Sequence, residues 1–270
     1  MKLCRFQPLE FSASSVSRSA QETHPQPRAG VIAENIISEI HGEIWGAREL
    51  TGKTWRLDGV KLLPPSVPTK IICVGRNYLD HAKELNSEVP KQPLIFMKPP
   101  SSVIAPEEPI VMPRISQRVD YEGELAMIIG RRCYQLRDSD DLQPYILGYT
   151  CLNDVTARDL QKLDVQFTRA KGFDTFCPFG PLLETHLDPA GVTVETFVNG
   201  VRKQSGHTSQ MIFPLDVIIR FIAQVMTLEP GDVIATGTPA GVSPLAPGDV
   251  VEVSVGGIGT LRNPVVADEA

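Results

Sequence analysis

From residue 70 onward the chain is a succession of short, β-branched and apolar runs punctuated by glycine and proline, and this pattern restricts the fold more than any other feature. The runs Lys70–Val74, Leu94–Met97, Ile110–Val111, Val119–Ile129, Tyr145–Leu152, Val192–Val198, Val233–Ala235, Val250–Val255 and Gly259–Val266 read as strands. The last two flank Gly256-Gly257, a hairpin signal because both glycines accept positive φ. Helical periodicity is clear in one place, Leu215–Met226, where Ile218, Ile219, Ile222, Val225 and Met226 fall on one face. A second helical stretch is expected over Val155–Gln166 and a short one over Asn77–Asn86. Many strands, few helices and no βαβ alternation predict a mixed α/β, mainly β fold, a twisted β-roll or sandwich and not a doubly wound sheet.

The chain divides in three. Residues 1–61 read as a small β-rich N-terminal domain with strands at Lys2–Phe6, Gly30–Ala33 and Glu43–Trp45, interrupted by a serine- and proline-rich loop over 12–28 that is too poor in apolar residues to order itself. Residues 62–69, Leu-Leu-Pro-Pro-Ser-Val-Pro-Thr, read as a semi-rigid linker, and 70–270 as the catalytic domain. With 270 residues and a formal charge of −6, the chain has no basic footprint for nucleic acid or an anionic membrane. No apolar run approaches the roughly 20 residues of a bilayer span, and the N-terminal residues lack the apolar core of a signal peptide. A cytoplasmic protein is expected. The five cysteines are widely spaced without a Cys-x-x-Cys pair, as suits buried reduced thiols.

Three carboxylates stand out. Glu122 and Glu124 are two apart in a strand-like run, so they share a face. Roughly 6–7 Å apart by strand geometry, two such charges repel by about 2–3 kcal/mol at an effective dielectric near 20. A cation would relieve this, and an all-oxygen ligand set favours Mg²⁺ or Mn²⁺ over zinc. Asp154 follows the Tyr145–Leu152 run at a strand end, just before the helical stretch Val155–Gln166, where sites concentrate. The plainer alternatives are a solvated face for the glutamates and an N-cap role for Asp154. His81 and Glu84, at i and i+3, form either a general base with its orienting carboxylate or a solvated surface pair. Lys171 sits in an aromatic-rich loop, as an anion-binding ammonium or a snorkelling surface lysine. The Ala235–Val242 turn, rich in glycine, threonine and proline, has amides that could take a carboxylate, but it is neither a P-loop nor a dinucleotide fingerprint.

Val74-Gly-Arg-Asn-Tyr78, Phe96-Met-Lys-Pro-Pro100, Asp120-Tyr-Glu-Gly-Glu-Leu125, Asn153-Asp-Val-Thr-Ala-Arg-Asp-Leu-Gln161, Lys171-Gly-Phe-Asp-Thr175 and Thr236-Gly-Thr-Pro-Ala-Gly-Val242, in that order, resemble the fumarylacetoacetate hydrolase family over roughly residues 70 to 266. The resemblance implies a β-roll, commonly a homodimer, with Mg²⁺ or Mn²⁺ on Glu122, Glu124 and Asp154. It implies substrate contacts from Lys171, Thr238 and Arg76. In the acylpyruvase and 2-hydroxyhepta-2,4-diene-1,7-dioate isomerase-like branch, a short closing helix carries a His-Glu pair that looks like His81 and Glu84. The substrate implied is a small 2-oxo or enol (di)carboxylic acid. Hydrolytic C–C cleavage of an acylpyruvate-type substrate is placed first, oxaloacetate decarboxylation or 2-hydroxymuconate-type isomerisation second, and a noncatalytic binding protein last. The long N-terminal domain of eukaryotic fumarylacetoacetase has no counterpart here, which argues against fumarylacetoacetate itself.

Overall fold

The structure, a computed structural model, describes residues 1–9, 26–86 and 88–269. Most of the expected loop over 12–28 lies outside these residues; Arg28 already belongs to a strand. The architecture is mainly β. A long mixed sheet runs in the order Glu49–Arg56, Ile36–His41, Arg28–Ala33, Lys2–Pro8, Cys177–Glu184, Ile146–Asn153, Gly123–Ile129, Val233–Ala235, Ile71–Gly75 and Leu94–Lys98. A five-stranded sheet, ordered Val201–His207, Thr193–Val198, Val250–Val255, Gly259–Ala267 and Ile110–Met112, packs across it.

Gly123–Ile129 is buried along its whole length. Leu125, Met127 and Ile129 pack with Val253, Val255 and Leu261 of the second sheet and with Ile218, Ile219 and Ile222 of the Leu215–Val225 helix. Ala126 and Ile128 point to the opposite face, against Leu3, Leu152, Phe179 and Leu183. A strand covered on both faces reads as a continuous apolar run instead of an alternating one, as this segment does. The first 63 residues contribute five of the described strands and a small core of their own around Cys4, Phe6, Ile32, Ile37 and Val60.

Several expected elements are differently bounded. Glu43–Trp45 is a turn, with Gly46 N–H donating to Glu43 O at 3.0 Å, and Ile44 is a buried plug against the central core. The strand of that region is Ile36–His41. Leu62 and Leu63 end the strand Val60–Leu63, paired with Phe6 and Arg5, and the rest of 62–69 is tied down by Ser66 Oγ donating to Gly231 O and by Thr69 N–H and Oγ1–H donating to Asp232 Oδ1. The expected helix over Val155–Gln166 shortens to Arg158–Leu163, because the β-branched Thr156 and its neighbour Ala157 pair with Val119–Asp120 instead. Cys177–Glu184 carries no strand signal in the sequence because Pro178 and Pro181 argue against one, and Val201–His207 carries none because it is a polar edge strand.

The expected single strand Val119–Ile129 is two, broken at Tyr121 and Glu122. Side chains take over from the ladder at the break: Glu122 N–H donates to Asn153 Oδ1 at 3.0 Å and Gly123 N–H to Gln204 Oε1 at 3.0 Å. A Cβ on Gly123 would fall 2.1 Å from Thr196 Oγ1, so only glycine lets the second sheet approach this closely.

Candidate active site

Strand register brings the three acids together. Gly123 faces Asn153 and Glu124 faces Leu152, and the pairing continues beyond the ladder with Asp154 N–H donating to Glu122 O at 2.9 Å. Glu122, Glu124 and Asp154 therefore fall on one face, at adjacent ends of neighbouring strands. One carboxylate oxygen from each lies within 4.8 Å of the others, and the residues are 5, 2 and 1 % exposed. The solvated-face alternative is excluded by that burial. The N-cap alternative for Asp154 also fails, since the next helix begins at Arg158 with no side-chain cap.

Three cations hold the acids in place. Lys171 Nζ donates to Glu122 Oε2 at 2.7 Å and to Asp154 Oδ2 at 2.6 Å, and lies 5.0 Å from the centre of the Phe96 ring. Lys98 Nζ donates to Asp154 Oδ1 at 2.6 Å and to Val155 O at 3.1 Å. The Arg158 guanidinium spans Glu122 Oε1, Asp120 Oδ2 and Gln161 Oε1. Burial alone would lift the Glu122 carboxyl, but the charges of Lys171 and Arg158 outweigh it and hold the group well below the usual carboxylate range. The same attraction raises Lys171 despite its burial. Glu124 goes the other way. Among the described residues its one hydrogen-bond donor is the Gly237 N–H, 2.7 Å from Oε2, and burial, with Asp154 and Glu122 adding to it, pushes its carboxyl well above the ordinary value.

A hard divalent ion fits this arrangement. The donors are all carboxylate oxygens, they are buried and mutually close, and the one least compensated by the protein's own cations is Glu124.

The acids floor a cavity of about 210 Å³. Its outer wall carries Arg76, His81, Leu85, Gln161, Lys162 and Phe167, and Thr238 also reaches it. The structure thus brings Arg76, His81, Lys171 and Thr238 to the same cavity as the acids. Glu84 stands behind the wall, with Oε2 3.3 Å from His81 Nδ1. The helix that carries this pair spans Leu79–Glu84, shorter than expected, and buries His81 to 3 % exposure. It is docked at both ends. Asn77 donates through Nδ2 to Phe213 O and Thr236 O and accepts from Phe213 N–H, while Glu84 accepts the Gly241 N–H at 3.1 Å.

Thr238 and Lys171 are also engaged within the protein. Thr238 spends its hydroxyl proton on Gly123 O at 2.8 Å and accepts from Gln204 Nε2 at 2.8 Å, so the hydroxyl braces the acidic strand. Lys171 is neither a surface lysine nor a free ammonium, being 2 % exposed and paired twice. Lys98, Arg158 and Gln161 also belong to the site, though no spacing argument in the sequence singles them out. Lys98 and Arg158 sit in motifs that carry the family resemblance, and a lysine at the end of an apolar strand just before two prolines is the signal that could have found the first. Gln204, in a polar edge strand, offers no sequence signal.

The family model described as fumarylacetoacetate (FAA) hydrolase C-terminal matches residues 70–266, and one described as Rv2993c-like, N-terminal matches residues 22–65. The chain is 56 % identical over 202 residues to an uncharacterized protein of Methanocaldococcus jannaschii, covering 75 % of this chain and 85 % of that one. A mitochondrial oxaloacetate tautomerase of Xenopus laevis is 43 % identical over 217 residues, covering 76 % and 68 %. Among solved structures, a 5-carboxymethyl-2-hydroxymuconate delta-isomerase from Mycobacterium smegmatis superposes with a TM-score of 0.88 at 40 % identity, covering 99 % of this chain and all of the other. Among the described residues no helix is long and apolar enough to cross a membrane.

Proposed function

Since this chain belongs to the fumarylacetoacetate hydrolase family, we propose that it moves a proton at C3 of a small 2-oxo or enol dicarboxylic acid, a keto–enol tautomerisation or double-bond shift, with Mg²⁺ or Mn²⁺ held by Glu122, Glu124 and Asp154. The observation that carries this reading is the placement of His81, oriented by Glu84, in the wall of the cavity floored by the buried acids. A bound divalent ion supplies a Lewis acid for the negative charge that develops on the 2-oxo oxygen when C3 loses its proton.

The chain's residues supply the rest. With Nδ1–H donated to Glu84, the imidazole presents Nε2 as the proton acceptor and donor. Glu84 is itself pinned by the Gly241 amide, so the pair is oriented before substrate arrives. Lys98, Lys171 and Arg158 keep the Glu122 and Asp154 carboxylates fixed, while Leu85, Phe96 and Phe167 line the apolar part of the cavity and limit water. Proton transfer asks for a base and a place for charge. Hydrolytic C–C cleavage asks in addition for a water held against a distal carbonyl. Together with the tautomerase and isomerase named among the relatives, this reverses the order of preference drawn from sequence, which put hydrolysis first.

The deciding experiment follows freshly dissolved enol-oxaloacetate by ultraviolet absorbance with Mg²⁺ or Mn²⁺ present, beside assays for pyruvate release from acylpyruvates and for CO₂ from oxaloacetate. Accelerated ketonisation without either product is expected. Pyruvate release at a comparable rate would restore hydrolysis as the reading, and CO₂ evolution would assign a decarboxylase.

A further inference from the structure

The cations around the cavity fall into two groups. Lys98, Lys171 and Arg158 are each bonded to at least one carboxylate of the chain, at the inner end. The side chains of Arg76 and Lys162 line the same cavity but hydrogen-bond to no group and pair with no carboxylate among the described residues. They come from different elements. Arg76 follows the strand Ile71–Gly75, and Lys162 lies in the last turn of the helix Arg158–Leu163.

Arg76 is also held in an unusual way. Its φ is +58°, a left-handed conformation that non-glycine residues seldom adopt. The neighbouring Asn77 fixes the backbone there through three side-chain hydrogen bonds, and Asn77 O accepts the Ile212 N–H at 2.7 Å. Such a backbone, retained by its surroundings, is characteristic of positions where a side chain must be aimed. A half-buried guanidinium with its donors unspent is matched in geometry and charge to a carboxylate. The inner cations cannot take that role without releasing Glu122 or Asp154.

We infer that Arg76, with Lys162 as a weaker second, reads the distal carboxylate of the substrate and makes this site selective for dicarboxylates over 2-oxo acids that end in a neutral group. The inference rests on the 2-oxo acid reading above and adds the residues that recognise the other end of the molecule. Lys162 is exposed, so its contribution is screened by water and salt.

Two unreactive ligands with the same oxalyl head separate the question from turnover: N-oxalylglycine, which carries a distal carboxylate, and N-ethyloxamate, which does not. Their dissociation constants are measured by calorimetry on the full chain with Mn²⁺ present. The wild type is expected to bind N-oxalylglycine at least about tenfold tighter, as a charge-assisted bidentate contact predicts. Arg76→Gln should bring the ratio to about threefold or less, Arg76→Lys should recover part of it, and Lys162→Gln should change it by less than Arg76→Gln does. Equal affinity of the two ligands in the wild type, no binding of either, or a preference that survives Arg76→Gln overturns the inference. Failure of the tautomerase reading would show separately, as no acceleration of enol-oxaloacetate ketonisation while the charge preference in binding persists.

Discussion

Lys98 Nζ lies 2.6 Å from Asp154 Oδ1, and the two side chains are 0 and 1 % exposed. This is an ion pair with no solvent to relax it, at the end of the strand Leu94–Lys98 on the edge of the long sheet. Removing one partner of a buried pair leaves the other charge without compensation, a loss of about 3–5 kcal/mol where such pairs have been broken. Lys98→Met is therefore expected to destabilise the metal-free protein by about 3 kcal/mol in urea unfolding, with part of the loss restored by a second change, Asp154→Asn. A variant within about 0.5 kcal/mol of wild type would show that Lys171 alone suffices for Asp154.

The two glutamates oppose each other in their dependence on pH. Glu122 is held low, so its contribution to metal-free stability is present above its ordinary value of 4.5 and is lost as pH falls through the folded value. Glu124 is held high. Above pH 4.5 its folded form keeps a proton that the unfolded chain has released, so stability falls as pH rises from there toward the folded value. Glu124→Gln keeps an acceptor for Gly237 N–H and removes that fall. At pH 7 without divalent ion the variant should be more stable than wild type in denaturant titrations, and on adding Mn²⁺ the wild type should gain stability while the variant gains little. The reverse pattern would mean that Glu124 is compensated by something other than a cation.

The visible and invisible parts of this site differ for a physical reason. Glu122, Glu124 and Asp154 announce themselves because like charges two residues apart in an otherwise apolar strand are costly unless something is bound. His81 and Glu84 are legible because helical spacing alone places them together. Gln204 and Asn153 are not legible. They act as side-chain substitutes for ladder hydrogen bonds where the strand breaks, and whether a strand breaks depends on how close another sheet comes, which no local pattern encodes. The same holds for Thr238, whose turn is recognisable while its hydroxyl's partners, Gly123 O and Gln204, come from distant segments. In the fold, the central strand Gly123–Ile129, covered on both faces, is readable, while Cys177–Glu184 with its two prolines and the polar edge strand Val201–His207 are not.

Loss of the base should show in turnover and spare binding. His81→Ala is expected to lower the rate of enol-oxaloacetate ketonisation by about 10²–10⁴, the usual worth of a positioned general base. Oxalate affinity, measured by calorimetry with Mn²⁺ present, should change by only a few fold, because oxalate has no C3 proton to exchange. Glu84→Gln should cost less, since it keeps a hydrogen-bonding side chain beside Nδ1 and an acceptor for the Gly241 amide. A His81→Ala variant that ketonises normally would move the proton transfer to another group in the cavity.

Gln204 offers the sharpest test of how the acidic strand is held. It is fully buried, accepts the Gly123 N–H at 3.0 Å, and donates to Thr238 Oγ1 at 2.8 Å and Pro239 O at 2.7 Å. Gly123 lies between the two glutamates, so this one amide couples the acidic strand to the Thr236–Val242 turn. Gln204→Leu, of similar size and without polar atoms, would strand the Gly123 N–H and the Pro239 carbonyl, each orphan costing about 1–3 kcal/mol. Thr238 would keep its bond to Gly123 O, so the strand should loosen without unfolding. Mn²⁺ affinity, measured by calorimetry, should therefore fall about tenfold or more, by analogy with residues that orient metal ligands without touching the metal. Gln204→Glu makes the complementary case: it keeps an acceptor for Gly123 N–H but gives up the donor to Thr238 and Pro239, and it buries a further negative charge near Glu122 and Glu124. That variant should be the less stable of the two without metal. Unchanged Mn²⁺ affinity in Gln204→Leu would show that strand pairing with Ile146–Asn153 suffices to aim the two glutamates.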